Sequence, residues 1–136
     1  VYDLRPPMLD EFGLGGALRN LGATGSVARR VEVPDTVPPL SAAIEVALFR
    51  IAAEALTNVE RHADARSCTL WLGVTDTAVT LRVADDGAGI GDGPGIGVGC
   101  ASMRERAEEL GGIVTWTTGP NGGTIVEATI PRPEAT

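Results

Sequence analysis

Four polar residues of chemically useful types lie close together in the sequence: Glu54, Asn58, Arg61 and His62. If this stretch is helical, a rotation of roughly 100° per residue places all four within about a third of the helix circumference. The amide oxygen of Asn58 is a hard ligand that suits Mg²⁺, and the guanidinium of Arg61 suits phosphate. Glu54 could order a metal-bound water or accept a proton, and the imidazole of His62 could donate one.

The same spacing also fits a polar helix edge that carries only ordinary hydrogen bonds between residues one turn apart. An apolar stripe runs beside these four residues, at Ile44, Leu48, Ile51, Ala55 and Val59. The helix would therefore border the core, with Arg50, Thr57 and Glu60 on its outer side. The polar edge is expected to lie where a cleft could open.

A second candidate site is the run Asp85-Asp86-Gly87-Ala88-Gly89, which directly follows a predicted strand. A carboxylate at the end of a strand, here Asp85, can accept a hydrogen bond from an exocyclic amine such as that of adenine. Gly87 and Gly89 have no Cβ atoms, so a flat base could approach the backbone closely. Asp and Gly are also common in plain surface turns, and that interpretation stays open.

A further glycine run, Gly95-Ile96-Gly97-Val98-Gly99, leads into a predicted helix. Such a backbone offers free N–H groups and the positive end of the helix dipole to a phosphate. A loop as long as 85–99 is uncommon unless it is functional, and it is expected to close over a ligand as a lid. The loop is not a Walker A sequence, because the chain contains no lysine.

The rest of the sequence supplies the elements that must position these residues. The patterns predict helices over 14–21, 41–62 and 100–110, and strands over 27–33, 67–74, 78–85, 113–118 and 123–130. Pro6 and Pro7 are expected to prevent the opening segment VYDLRPPML from being helical throughout. Strands joined by short turns, with helices between them, predict an α/β two-layer sandwich with a mixed, mostly antiparallel sheet covered on one face by helices.

Bulk composition narrows the possible functions. The chain of 136 residues suits one compact domain, and its net charge of -7 argues against nucleic acid as a partner. No stretch reaches the ~20 apolar residues that a membrane span requires. Cys68 and Cys100 have no metal-ligand spacing and are expected to be buried thiols.

Taken together, the polar residues resemble the motifs of the GHKL ATP-binding superfamily, which includes gyrase, Hsp90 and histidine kinases. The N box, G1 box, G2 box and GT motif correspond, in this order, to Glu54-x-x-x-Asn58 with Arg61-His62, Asp85-x-Gly87-x-Gly89, Gly95-x-Gly97-x-Gly99, and Gly123-Thr124. The resemblance covers nearly the whole chain and implies the Bergerat/GHKL fold, with ATP and Mg²⁺ as cofactors.

The resemblance also implies a role for each residue. Asp85 would bind the adenine amino group, with Thr124 supporting it through a water. Asn58 would coordinate Mg²⁺, and Arg61 and His62 would contact the phosphates. The glycines of the G2 box, with their neighbours, would form the lid and the phosphate-binding backbone. Glu54 would act on the magnesium shell or as the general base, and the sequence leaves both roles open.

Three segments, EALTNVERHA, GVGCASMRERAEELGG and GPNGGTIVEATIP, resemble histidine kinases that pair with LuxR/NarL-type response regulators. On this resemblance, 1–13 is the end of a linker from a dimerisation and phosphoacceptor domain, 14–130 is the catalytic ATP-binding domain and 131–136 is a tail. The only histidine is His62, inside the N box, so little autonomous autophosphorylation is expected.

The fragment is expected to be monomeric and cytoplasmic, and the intact kinase homodimeric. An anchor in the bacterial inner membrane would have to lie in segments outside this sequence. Two other functions remain open: an anti-sigma-factor-type serine kinase, and a nucleotide-sensing interaction module without turnover. The roles of two arginines after the lid also remain open. Arg104 and Arg106 could contact phosphates or form surface ion pairs, such as Arg104 with Glu108.

Overall fold

The computed structural model describes residues 5–23, 25, 27–62, 65–87, 98–120 and 122–133. Three helices lie in this part of the chain: α1 (Pro7–Gly22), α2 (Ala42–His62) and α3 (Val98–Glu108). Five strands accompany them: β1 (Ala28–Glu32), β2 (Ser67–Val74), β3 (Ala78–Asp85), β4 (Ile113–Thr118) and β5 (Thr124–Pro131).

The strands form one sheet in the order β1-β2-β3-β5-β4. The pair β1 and β2 is parallel because α2 crosses between them, and the other neighbouring pairs are antiparallel. The helices cover one face of the sheet. The predicted two-layer α/β sandwich with a mixed, mostly antiparallel sheet is confirmed.

The core lies between the helices and the inner face of the sheet. Leu48 and Ile51 of α2 are fully buried, and they face alternate strand residues such as Leu70, Leu81 and Val83. Burial of one such side chain stabilises the fold by about 1.5–3 kcal/mol. Period-two burial along β2 and β3 explains why their bounds were predictable from the sequence.

Helix α1 starts earlier than predicted, because the sequence pattern placed the first helical residue at Leu14. The helix begins at Pro7 and bends at Gly13, and Leu9 belongs to the core. Pro6 is the N-cap residue and Pro7 the first helical residue, where the missing proline N–H costs no hydrogen bond. The two prolines therefore start the helix and do not prevent it.

Both cysteines are buried, as predicted, and both are free thiols. Burial raises the pKa of the Cys68 thiol, so the thiol stays protonated and unreactive near neutral pH. Among the described helices, none is long and apolar enough to span a membrane.

Candidate functional site

The topology brings most of the predicted motifs to one end of the sheet. Strand β2 begins soon after α2 ends, and its residue Cys68 pairs with Asp85, the last residue of β3. Strand β5 is antiparallel to β3, so its first residue, Thr124, also lies at this end. The N-box end of α2, the G1 box and the GT motif therefore share one edge of the molecule.

The carboxylate of Asp85 is half-buried between the G1 box and the GT motif. Its Oδ1 atom accepts a hydrogen bond of 2.8 Å from the backbone N–H of Gly87 and a longer one of 3.4 Å from that of Thr124. These two contacts fix the orientation of the carboxylate. An acceptor held in this way can receive a hydrogen bond from an amine donor on a ligand.

Gly123 makes this arrangement sterically possible. The residue is buried and has a φ of 76°, and a Cβ atom on it would clash with the carbonyl oxygen of Asp85. Only glycine combines a positive φ with so close an approach of two backbones. The GT motif therefore allows the start of β5 to pack directly against the end of β3.

Asp86, the neighbour of Asp85, has a structural role that the sequence analysis did not predict. Its Oδ1 atom accepts hydrogen bonds from the backbone N–H groups of Arg66 and Ser67, at 2.8 and 3.0 Å, and its Oδ2 atom accepts one of 2.9 Å from the Ser67 hydroxyl. These donors hold the pKa of Asp86 below its usual value. Asp86 therefore fastens the G1 box to the start of β2.

The N-box residues lie along the last turns of α2. Glu54 and Asn58 are half-buried one turn apart, and Arg61 is exposed. His62 is the last residue of the helix, and its side chain lies outside the described part of the structure. Half-burial of the amide and the carboxylate agrees with their predicted place at the border of the core.

The helical pattern predicted that Glu60 lies on the outer, solvent-facing side of α2. This prediction is wrong, because Glu60 packs against β1. Its carboxylate pairs with Arg29 of β1 at 2.9 Å and accepts a hydrogen bond of 3.1 Å from the backbone of Val27. The side chain of Arg29 is almost fully covered, and it also donates a hydrogen bond of 2.6 Å to the carbonyl of Leu21. These contacts link α1, β1 and the N-box end of α2. No local pattern in the sequence predicts them.

The predicted lid falls mostly outside the described residues, including Gly89, Gly95 and Gly97. Gly99 lies in the first turn of α3, as the second residue of the helix. Cys100, Met103 and Ala107 bury one side of α3 against the core, which confirms the helix that was predicted to follow the glycines.

The donor set of the α2 edge fits a magnesium ion that is shared with a ligand. Magnesium binds through one or two protein oxygens and otherwise uses water and phosphate. Asn58 offers an amide oxygen, and Glu54 a carboxylate one turn earlier. Among the described residues, no cluster of three His, Cys, Asp or Glu forms a metal site of its own. Both donors are hard oxygen ligands of the kind that magnesium binds together with water and phosphate.

Comparison with known proteins identifies relatives along almost the whole chain. Residues 43–134 match the family described as "Histidine kinase-, DNA gyrase B-, and HSP90-like ATPase". The chain is 33% identical over 130 residues to the sensor histidine kinase NarS of Mycobacterium tuberculosis, covering 90% of this chain and 30% of NarS. It is 34% identical over 137 residues to the sensor histidine kinase LiaS of Bacillus subtilis, covering 96% of this chain and 38% of LiaS.

Solved structures give the same result for the fold. The Erythrobacter litoralis EL346 blue-light activated histidine kinase matches with a TM-score of 0.69 and 26% identity, over 88% of this chain and 39% of that protein. The ATP binding domain of PrrB from Mycobacterium tuberculosis matches with a TM-score of 0.62 and 19% identity, over 89% and 92% of the two chains. The chain thus belongs to the histidine kinase-, DNA gyrase B- and HSP90-like ATPase family, as an ATP-binding domain of the sensor histidine kinase type.

Proposed function

We propose that this domain binds Mg²⁺-ATP and presents the γ-phosphate to a histidine on a dimerisation domain of the same kinase. The phosphate would then pass to a response regulator of the LuxR/NarL type. The chain spans about a third of the sensor kinases it matches, so the acceptor histidine and the sensor belong to the rest of such a protein. In this proposal residues 1–13 form the end of the linker, and the intact kinase is a cytoplasmic or membrane-anchored homodimer.

The observation that carries the proposal is the orientation of Asp85. Its carboxylate is held by the backbone N–H groups of Gly87 and Thr124 at the edge where the N box also ends. In our proposal Asp85 accepts a hydrogen bond from the adenine amino group, and Thr124 supports it through a water. Gly87 and Gly89 have no Cβ atoms, which in this proposal would allow the plane of the base to approach the backbone.

The phosphate end of the nucleotide is assigned to α2 and to the glycines before α3. Asn58 would hold magnesium through its amide oxygen, and Arg61 and His62 would contact phosphate oxygens. Gly95, Gly97 and Gly99 would supply backbone N–H groups for the phosphates. Magnesium neutralises phosphate charge when it is bound, and phosphoryl transfer depends mainly on such neutralisation and on positioning.

Glu54 is proposed first as a residue of the magnesium shell. Its half-buried carboxylate lies one helical turn from Asn58, which suits the ordering of a metal-bound water. In the second role, as a general base, Glu54 would accept a proton from the histidine that receives the phosphate. Replacement of Glu54 by Gln separates the two roles, because a lost base lowers label transfer and leaves Mg²⁺-ATP affinity nearly unchanged.

The proposal is tested by calorimetry with Mg²⁺-ATP and Mg²⁺-ADP, combined with radiolabel transfer in the presence and absence of an added dimerisation-helix domain. We expect the domain alone to bind both nucleotides, and label to appear on a histidine only when the helix domain is present. Label on a protein serine would support a serine kinase instead. Absence of nucleotide binding by the folded domain would support a non-catalytic interaction module.

A further inference from the structure

Arg104 of α3 lies over the indole ring of Trp116 in β4, with its guanidinium carbon 5.3 Å from the ring centroid. This distance is within the range of a cation–π contact. The spacing of the sequence had allowed an ion pair between Arg104 and Glu108, but no such pair is present in the described part of the chain. The residue that Arg104 contacts is therefore on the sheet and not on its own helix.

Trp116 faces the helices. Its partner in the sheet is Val126, a buried residue of the inner face, and Trp116 itself is half-buried. Its Nε1 atom is buried and has no acceptor among the described residues, so the contact with Arg104 is made by the ring face and not by the polar edge. Loss of the ring would therefore remove the cation–π contact without breaking a hydrogen bond in the described structure.

The contact lies next to the buried anchor of α3. Met103 and Ala107 are fully buried on the inner side of this helix, and Arg104 extends the anchored surface to the edge strand β4. Val98 and Gly99 are the first two residues of the helix, so the last glycine of the G2 box belongs to the same helix as the anchored residues. The position of the helix N-terminus follows from how the rest of α3 sits on the sheet.

We propose that Arg104, held over Trp116, is a positioning residue for the phosphates of the nucleotide. The contact fixes α3 laterally on the sheet and thereby sets the place of the N–H groups at its N-terminus. The inference rests on the proposed function, because that function assigns a phosphate contact to the backbone N–H of Gly99 in the first turn of α3. It predicts that Arg104 acts through Trp116 and does not itself touch phosphate.

The test is a double-mutant cycle between Arg104→Met and Trp116→Leu, read out as binding of Mg²⁺-ATP and of adenosine. A cation–π contact of this kind corresponds to about a two- to five-fold change in an equilibrium constant. Each single variant should weaken Mg²⁺-ATP binding by about that factor and leave adenosine binding unchanged. The double variant should be no weaker than either single variant, since both remove the same contact.

A matched control exists on the opposite face of the sheet, where Arg82 lies 4.9 Å from the ring centroid of Trp71. The variant Trp71→Leu removes the same type of contact far from α3 and should leave both affinities unchanged. Trp116→Phe keeps an aromatic ring that is smaller than the indole and a weaker cation–π partner, so it should show an intermediate loss. It also serves as the readout if Trp116→Leu proves too unstable to bind any ligand.

Three outcomes overturn the inference. If Trp116→Leu and Trp116→Phe bind Mg²⁺-ATP as the wild type does while Arg104→Met binds it weakly, Arg104 contacts phosphate directly. If the two single effects add in the double variant, the residues act independently. If adenosine binding falls as much as Mg²⁺-ATP binding, the contact is only structural. The wild-type measurement separates the two proposals, because a wild type without nucleotide affinity overturns the proposed function as well.

Discussion

The carboxylate of Asp85 and the backbone nitrogen of Thr124 lie 3.4 Å apart, although 38 residues separate them in the sequence. This contact joins the last residue of β3 to the first residue of β5, and it orients the acceptor that we assign to adenine. The neighbouring carboxylate of Asp86 is instead engaged by Arg66 and Ser67. We therefore expect different effects from substitution of the two aspartates: loss of nucleotide binding at Asp85 and loss of stability at Asp86.

We expect Asp85→Asn to weaken ATP binding and to leave the domain folded. The substitution exchanges a charged acceptor for a neutral amide, and a hydrogen bond to a charged group contributes about 1.5–3 kcal/mol, which corresponds to roughly 10- to 100-fold in affinity. Calorimetry with ATP and with adenosine should show the same loss, because the change concerns the base. Unchanged ATP affinity would remove the adenine assignment. Asp86→Asn is the control, and it should lower stability more than affinity.

Asp86 also predicts how stability depends on pH. The pKa of Asp86 is lowered in the folded protein from an ordinary value of 3.8. Its contribution is therefore fully present above that value and is lost as pH falls through the lower folded pKa. Urea unfolding from pH 3 to pH 7 should show a gap between the wild type and Asp86→Asn that narrows only at the acid end. A gap that stays constant with pH would contradict the prediction.

Asn58→Ala should weaken ATP binding more in the presence of Mg²⁺ than in EDTA. The amide oxygen is proposed to hold the metal, so without the metal its loss removes little. Thr57→Ala is a matched control on the same turn, because the Thr57 hydroxyl bonds within the helix to the carbonyl of Ala53 at 2.8 Å. Equal losses with and without Mg²⁺ would show that Asn58 is not the metal ligand.

Gly123→Ala should cost more stability than Gly111→Ala. Both glycines have a positive φ, of 76° and 77°, which costs a non-glycine residue about 1–2 kcal/mol. At Gly111 the nearest atom to an added Cβ is Pro131 Cγ at an ordinary 3.5 Å, whereas at Gly123 the Cβ meets the Asp85 backbone. Thermal unfolding gives the stabilities, and only Gly123→Ala should also lose ATP affinity. Equal effects at the two positions would show that the clash is relieved without displacement of Asp85.

The pair of Arg29 and Glu60 should matter far more than the pair of Arg82 and Glu127. The Arg29 side chain is only 6% exposed, so Glu60→Ala leaves a buried cation without its carboxylate, at a cost of about 3–5 kcal/mol. Arg82 and Glu127 are 43% and 35% exposed, and Glu127→Ala should cost about 0–1 kcal/mol. Chemical denaturation of the two variants measures both costs. Similar losses of stability in Glu60→Ala and Glu127→Ala would mean that the surroundings of Arg29 relax and admit water in Glu60→Ala.

The sequence by itself determined the secondary structure around the site and the order of the motifs. Strands β2 and β3 were predictable to the residue because alternate burial, as at Leu70 and Leu81, is written locally in the pattern of side chains. The polar edge of α2 was predictable for the same reason, since the helical period alone places Glu54 beside Asn58. The family resemblance then gave these residues their roles.

Only the tertiary structure decided which neighbouring residues take which task. The sequence could not predict that Asp86 binds Ser67, that Glu60 pairs with Arg29, or that Arg104 lies over Trp116. Each of these contacts joins residues from different elements, and their proximity follows from the packing of helices on the sheet and from strand register. Side-chain type and spacing are local properties, whereas the partner of a charged group is set by the folded chain as a whole.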